Sequence, residues 1–145
     1  YCSPNRVAVG EDISSLCSPT HYSEFGAPYT QRVFDSFGIG EVHCHSAGPH
    51  ILPEFLKLKR MRQIQIVADP NTARPVEILA NLMDKHPERF GRSSDFAVMA
   101  VDVTADEAVD YYDLCRRARV VFSVVTDEAE EAKDAVHMFR SRQSA

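Results

Sequence analysis

Five short apolar runs, each separated from the next by a longer polar segment, constrain this chain more than any other feature. They cover residues 6–9, 41–44, 64–67, 96–101 and 120–125. Their length and their β-branched content are typical of strands rather than helices. Because successive strand–helix units bury their strands as a parallel sheet covered by helices, the pattern predicts an α/β fold with a parallel sheet of about five strand–helix units.

The intervening segments contain recognisable helix starts. These are Ser18 before Pro19, Thr104 with Glu107, and Asp127 with Glu130. The first joins an N-cap to a proline at the first helical position, and the other two have the capping-box spacing. We expect the last two helices to end near Arg117 and Arg140, where a cation suits the helix dipole.

The length sets the scale of the fold. A chain of 145 residues with 44% hydrophobic and 26% charged residues is long enough for one buried core. A complete eight-unit barrel takes about 250 residues. Since the chain also begins with Tyr1 rather than Met, we expect a single α/β domain over residues 1–145 that is a half barrel or a fragment of a larger barrel.

The net charge and the cysteine spacing limit which partners and which cellular compartment are expected. The net charge is -5, and the two short basic clusters at 57–62 and 116–119 are interpreted as solvated helix ends, so nucleic acid is not expected as a partner. The sequence contains no run of about 18 apolar residues, so no membrane span is predicted. The four cysteines lack C-x-x-C spacing, which favours a reduced, cytoplasmic setting.

Polar residues follow the predicted strands. They are Glu11 and Asp12, His45 and Ser46, Asp69 and Asn71, Asp102, and Asp127. Because the carboxyl ends of parallel strands meet at one rim, we expect the chemistry of the protein there. Helix capping suffices to explain Asp102 and Asp127. For Glu11, Asp12, His45 and Asp69, function and capping remain equal alternatives.

The stretch GEVHCHSAGPH at 40–50 holds three of the six histidines. In an extended strand His43 and His45 share one face and Cys44 points to the other, so the two imidazoles are a plausible pair of metal ligands. Glu11, Asp12 or Asp69 would complete such a site. Alternatively, His43 is a barrel-lining or core histidine and only His45 faces the crevice. His50 follows a Gly-Pro turn at a possible helix start.

Four features follow one another in fixed order between residues 9 and 71. They are the acidic strand end Glu11-Asp12, the helix start Ser18-Pro19 leading through Tyr22, Glu24 and Phe25 to Pro28-Tyr29, the loop His45-Ser46-Ala47-Gly48, and the strand end Asp69-Pro70. In this order and spacing, the stretch resembles the carboxyl-terminal half of the uroporphyrinogen decarboxylase family, nearest its cobalamin-linked methyltransferase branch. The resemblance implies the second half of a TIM barrel.

The resemblance also implies roles for individual residues. Methyltransferases of the family hold zinc with a His-x-Cys pair at this loop and a cysteine near the last strand, and a corrinoid is their methyl partner. Here His45 matches the histidine, whereas Ala47 and Ser123 stand at the cysteine positions. We therefore expect His45 and Asp12 to be catalytic, and a zinc ion, if present, to be bound by His43 and His45. The residues expected to bind a small-molecule substrate are Glu11, Ser46, Gly48, Asp69 and Asn71.

Three hypotheses about function follow. The first is an enzyme of this superfamily, transferring a methyl group from or to a small substrate with a metal at the strand ends. The second is a non-catalytic half-barrel binding or assembly module. The third is a tetrapyrrole decarboxylase (a lyase), which would need arginines from segments outside these residues. A half barrel has two open sheet edges, so a homodimer or a partner completing the barrel is expected in each case.

Overall fold

A computed structural model describes residues 5–143 and contains a five-stranded, all-parallel sheet alternating with helices, which confirms the predicted α/β class. The strands are β1 (Arg6–Gly10), β2 (Ile39–His45), β3 (Met61–Val67), β4 (Ala97–Val103) and β5 (Arg119–Val124). Their order in the sheet is β1-β2-β3-β4-β5, the same as along the chain. A sheet that adds each new strand to the same edge is consistent with a half TIM-barrel-like unit.

Helices connect the strands. They are α1 (Pro19–His21), α2 (Ala27–Phe37), α3 (Leu52–Phe55), α4 (Pro75–Lys85), α5 (Ala105–Asp110), α6 (Tyr112–Arg117) and α7 (Ala129–Gln143). A 3-10 turn at Asp12–Leu16 follows β1, and a π-helical segment at Tyr22–Gly26 joins α1 to α2. None of the helices described within residues 5–143 has the length and apolar character needed to cross a membrane.

Two of the three predicted helix starts are confirmed. The Ser18 hydroxyl accepts the His21 N–H at 3.2 Å, and Thr104 forms a reciprocal capping box with Glu107. The prediction for Asp127 is wrong by one residue, because α7 begins at Ala129 and its first turn closes on the carbonyl of Glu128.

The fourth strand and the helices after it differ from the sequence prediction in detail. Asp102 does not cap a helix: it lies within β4 with a φ of 58°, at an irregularity in the pairing with β5. The segment after Thr104 forms two helices divided at Tyr111 instead of one, and the second ends at Arg117 as expected. The last helix continues past Arg140 to Gln143.

The two faces of the sheet have different environments. On the helix-covered face Val42, Ile64 and Ile66 are fully buried, and each buried side chain of this kind contributes about 1.5–3 kcal/mol to folding. The opposite face carries a row of half-buried side chains in register, in which His43 pairs with Gln65 and Gln65 pairs with Met99. This second face corresponds to the interior of a barrel.

Large exposed apolar side chains are confined to the two ends of the sheet. Among the described residues they are Ile13, Leu16, Phe25, Tyr29, Phe37 and Ile39 at the β1 end, and Val121, Val125, Val136 and Met138 at the β5 end. The elements between these ends, from β3 to α6, contribute none to this set. Among the described residues, the apolar exposure is therefore concentrated in the first and last strand–helix units, which include the two open edges of the sheet.

The close packing of α2 on β2 generates a test of the core. A Cβ at position 40 would overlap the ring of Phe34, which is fully buried, whereas a Cβ at Gly91 has open space around it. We expect Gly40→Ala to lower the free energy of unfolding by about 1–3 kcal/mol because of overpacking, with Gly91→Ala close to wild type. Urea denaturation measures both, and equal effects of the two substitutions would contradict this packing.

Candidate metal centre

The carboxyl ends of β1 and β2 bring two histidines and a carboxylate together. Gly10, the last residue of β1, pairs with His43, and the N–H of Glu11 donates to the His43 carbonyl at 2.8 Å. This bond continues the strand pairing one residue past β1. The 3-10 turn that begins with Asp12 therefore starts beside His45.

The two imidazoles lie on the same face of β2, as predicted, with ring centroids 5.2 Å apart. The Nδ1 of His43 is 2.7 Å from the Oε1 of Gln65, and the Nδ1 of His45 is 2.9 Å from the Oδ1 of Asp69. Amide and carboxylate oxygens only accept hydrogen bonds, so each Nδ1 carries the proton. In neutral imidazoles each Nε2 then has a free lone pair, which is the state that a metal ligand requires.

Asp12 completes the cluster. Its Oδ1 lies 3.6 Å from the Nε2 of His43 and 3.6 Å from the Nε2 of His45, and the three ligand atoms all lie within 4.8 Å of one another. A tetrahedral ion with bonds of about 2.1 Å separates its ligand atoms by roughly 3.4 Å. His43 lies on the face that corresponds to the barrel interior with its Nε2 toward Asp12, so the cluster has approximately the spacing of a three-ligand metal site, and metal binding by His43 stays a prediction.

Asp69 orients His45 and the loop after it at the same time. Its Oδ1 accepts the imidazole N–H, and its Oδ2 accepts the backbone N–H of Ala47 at 3.0 Å. Desolvation raises the pKa of the Asp69 carboxyl, but the hydrogen bonds from Ala47 and His45 outweigh it and the pKa is lowered. The carboxylate consequently stays ionised while it holds the His45 ring.

Glu11 belongs to a different set of contacts. Its Oε1 accepts hydrogen bonds from the hydroxyls of Tyr22, at 2.9 Å, and Thr30. Burial raises the pKa of the Tyr22 phenol, so this group stays protonated and continues to donate. Glu11 thus ties β1 to the π-helical segment and to α2, and it stands outside the cluster of Asp12 and the histidines.

Two of the residues expected to bind substrate support the loops of the site. Ser46 is 2% exposed, and its hydroxyl accepts the Asp69 N–H at 2.7 Å and bonds the Thr72 hydroxyl. Gly48 is buried, and a Cβ there would lie 3.0 Å from the Cβ of Ser15, in the turn that carries Asp12. A direct contact of Ser46 or Gly48 with substrate stays a prediction.

Two further predicted positions lie outside the cluster. Asn71 is exposed, with a φ of 61°. The Nε2 of His50 bonds the carbonyl of Cys17 at 2.9 Å, which fixes the loop after β2. Sequence reasoning missed Gln65 and Thr72. The strand alternation that placed His43 could have found Gln65, because it stands opposite that histidine on the same face of β3, whereas nothing in the sequence indicated Thr72.

None of the three cysteines within residues 5–143 joins the cluster of Asp12, His43 and His45. Cys44 is 4% exposed on the helix-covered face, and burial, with a smaller effect of the nearby Asp12 and Glu11 carboxylates, raises its pKa to about 12. Ala47 and Ser123 are exposed and have no sulfur. Within residues 5–143 a zinc site with His-x-Cys ligands therefore does not fit, whereas imidazole and carboxylate donors fit zinc and other divalent ions.

Comparisons with protein-family models, with curated proteins and with solved structures found no match to this chain. The relation to the uroporphyrinogen decarboxylase family therefore stays a prediction from the sequence.

The Asp69 contacts predict a pH-dependent contribution to stability. Folding lowers the pKa of Asp69, so its contribution is complete above the unfolded value of about 4 and is lost as the pH falls through the lower folded value. We expect Asp69→Asn to lower the free energy of unfolding at pH 7 by about 1.5–3 kcal/mol, the usual range for hydrogen bonds to a charged group.

Urea denaturation between acidic and neutral pH measures this effect, with the exposed Asp110→Asn as the control. The difference between wild type and Asp69→Asn should shrink in acid. A difference of unchanged size under acidic conditions would show that the charge of Asp69 is not its source.

Proposed function

We propose that this chain is a metal-dependent enzyme related to the uroporphyrinogen decarboxylase family, and that it transfers a methyl group from or to a small substrate. The observation that carries the proposal is the convergence of Asp12 Oδ1 with the Nε2 atoms of His43 and His45 within 4.8 Å. The hydrogen bonds at both Nδ1 atoms support it, because orientation of each imidazole by a second partner is typical of metal-binding histidines.

In this proposal, His43, His45 and Asp12 hold zinc or another divalent ion. Such an ion would supply Lewis acidity, which lowers the pKa of a substrate group bound to it. Gln65 and Asp69 keep the protons of the two histidines at Nδ1, and Asp12 adds the one negative charge among the three ligands. Without a metal, the Asp69-held His45 would serve as a general base through Nε2.

The two more specific ideas from the resemblance have less support. A corrinoid as the methyl partner comes from the resemblance alone. The carboxylates of Glu11, Asp12 and Asp69 around the strand ends argue against the tetrapyrrole decarboxylase hypothesis, because they repel a substrate that bears many carboxylates. Arginines from outside these residues would have to offset that repulsion.

Metal content of the purified chain tests the proposal. We expect about one equivalent of zinc or another transition metal in the wild type, and its loss in His43→Ala and His45→Ala, because two ligands cannot retain the ion. His50→Ala is the matched control, since this histidine bonds the Cys17 carbonyl instead of facing Asp12.

Elemental mass spectrometry after dialysis against excess metal gives the stoichiometry. A wild-type chain that stays metal-free under these conditions would contradict the proposed metal-dependent chemistry. Equal metal content in all four proteins would show that the ion binds at another site, and this result would also contradict the proposal.

The second candidate function is assembly. It is favoured by the confinement of the large exposed apolar side chains to the two open ends of the sheet, with Leu16 86% exposed at the β1 end and Val125 52% exposed at the β5 end. Unpaired edges of this kind recruit further strands. We propose that a second copy, or a partner that completes the barrel, covers both ends.

Light scattering coupled to size exclusion tests assembly. We expect the purified chain to associate in a concentration-dependent way, and Phe25→Glu or Val121→Glu to shift it toward the monomer because each places a charge on an apolar end. Asn81→Glu, at an exposed position of α4 in the middle of the chain, should have no effect. If the wild type is monomeric at all concentrations, a second copy is ruled out and only a separate partner can complete the barrel. A strong effect of Asn81→Glu on association would contradict both the second copy and the separate partner.

A further inference from the structure

Glu11 connects the candidate metal centre to a buried tyrosine. Its backbone belongs to the strand end and to the turn that carries Asp12, and its side chain accepts a hydrogen bond from the Tyr22 hydroxyl at 2.9 Å. We infer that Tyr22 is a positioning residue of the centre: through Glu11 it holds the backbone of Asp12 at the place from which the carboxylate reaches the two imidazoles. The inference rests on the proposed metal site and adds a residue of the helix layer that determines how tightly this site holds its ion.

Asp12 depends on such support more than the two histidines do. Its side chain is 58% exposed, whereas those of His43 and His45 are 34% and 31% exposed and are oriented by partners at Nδ1. An exposed side chain loses rotamer freedom when it is fixed on an ion, and it reaches the ion only if its backbone is held at the right place. That backbone directly follows Glu11, so the position of Glu11 sets the point from which the carboxylate extends.

Glu11 is held from three directions. Its N–H donates to the His43 carbonyl at 2.8 Å, which joins it to β2. Its carbonyl accepts the Ser14 N–H at 3.1 Å and the Ser14 hydroxyl, which closes the 3-10 turn. Its Oε1 accepts the hydroxyls of Tyr22 and Thr30, which join it to the π-helical segment and to α2. Of these three connections, only the third reaches the helix layer.

Tyr22 is itself fixed in one place. It is 3% exposed, and its ring packs edge-on against Phe55 with 5.1 Å between the ring centroids. Gly26 leaves the space that the ring needs, because a Cβ at that position would lie 2.6 Å from a ring atom. Burial raises the pKa of the phenol, so the hydroxyl remains a donor at neutral pH. Tyr22 also begins the π-helical segment, and π-helical turns occur frequently at functional sites.

These contacts form one connection from the helix layer to a proposed metal ligand. The packed ring holds the hydroxyl, the hydroxyl holds the Glu11 carboxylate, and Glu11 begins the turn of Asp12. Loss of the phenolic oxygen releases Glu11 from the π-helical segment and leaves all three proposed ligands in the chain. Groups that orient metal ligands from outside change the metal affinity about 10–100-fold when they are removed. Because Tyr22 acts through one intermediate residue, we expect the low end of that range.

Cobalt(II) titration of Tyr22→Phe, monitored by visible absorption, tests the inference. We expect the dissociation constant for cobalt to rise about tenfold, and the visible bands of the saturated protein to shift because the Asp12 carboxylate binds in a different geometry. Tyr29→Phe is the matched control, since it removes the same oxygen from a tyrosine that is 62% exposed. It should bind cobalt like the wild type.

A second control separates positioning from stability. Ile78→Val shortens a buried side chain of α4, outside the elements that Glu11 contacts, and lowers the free energy of unfolding. We expect it to keep the cobalt affinity and the spectrum of the wild type. A Tyr22→Phe protein that loses stability but also keeps both wild-type values would show that the hydroxyl only stabilises the fold, and would overturn the inference.

The connection through Glu11 has its own test. We expect Glu11→Ala to weaken cobalt binding at least as much as Tyr22→Phe does, because it removes the acceptor of the same hydrogen bond. The double variant should then bind cobalt no more weakly than Glu11→Ala alone, since both substitutions break one connection. Additive losses in the double variant would contradict the connection through Glu11.

Failure of this inference and failure of the proposed function give different results. A wild-type chain that binds no cobalt refutes the metal site itself. A wild-type chain that binds one equivalent of cobalt, with Tyr22→Phe equal to it in affinity and spectrum, keeps the metal site and refutes the positioning role of Tyr22.

Discussion

The parallel pairing of β1 with β2 is the constraint on which the candidate site depends. Gly10 stands opposite His43, and the Glu11 N–H bonds the His43 carbonyl beyond the end of β1. A register shift of one residue would turn both histidines toward the helix layer and bring Cys44 to the crevice, because side chains alternate along a strand. The burial of Val42 and Cys44 against the helices prevents that shift. The apolar core therefore fixes the position of the polar cluster.

The oriented imidazoles show how the next strand contributes to the same site. β3 supplies Gln65 from its inner face, and the loop after β3 supplies Asp69, so each histidine of β2 is held by one group from its neighbour. The two supports differ, since the amide is neutral and the carboxylate is charged. Ser46 closes the arrangement by accepting the Asp69 N–H, which ties the loop after β3 to the loop after β2.

The predictable part of this molecule is the part that depends on local sequence pattern. Strand alternation was sufficient to place His43 and His45 on one face and Cys44 on the other, and the strand-end rule was sufficient to place Asp12 near them. The pairing of His43 with Gln65 and of His45 with Asp69 was not predicted, because these partners are 22 to 24 residues away along the chain and their pairing depends on the register between strands as well as on alternation. Asp102 was misjudged for a related reason: an irregularity in β4 sets its conformation, and the sequence gives no sign of that irregularity.

The open β1 edge and the candidate metal centre are physically linked. The 3-10 turn that carries Asp12 also carries Ile13 and Leu16, which are 75% and 86% exposed. A neighbouring strand or helix that covered these two side chains would restrain the turn and thereby fix the Asp12 carboxylate relative to the histidines. Closure of the barrel and preorganisation of the ligand set are then one event, so the enzymatic and assembly proposals support each other instead of competing.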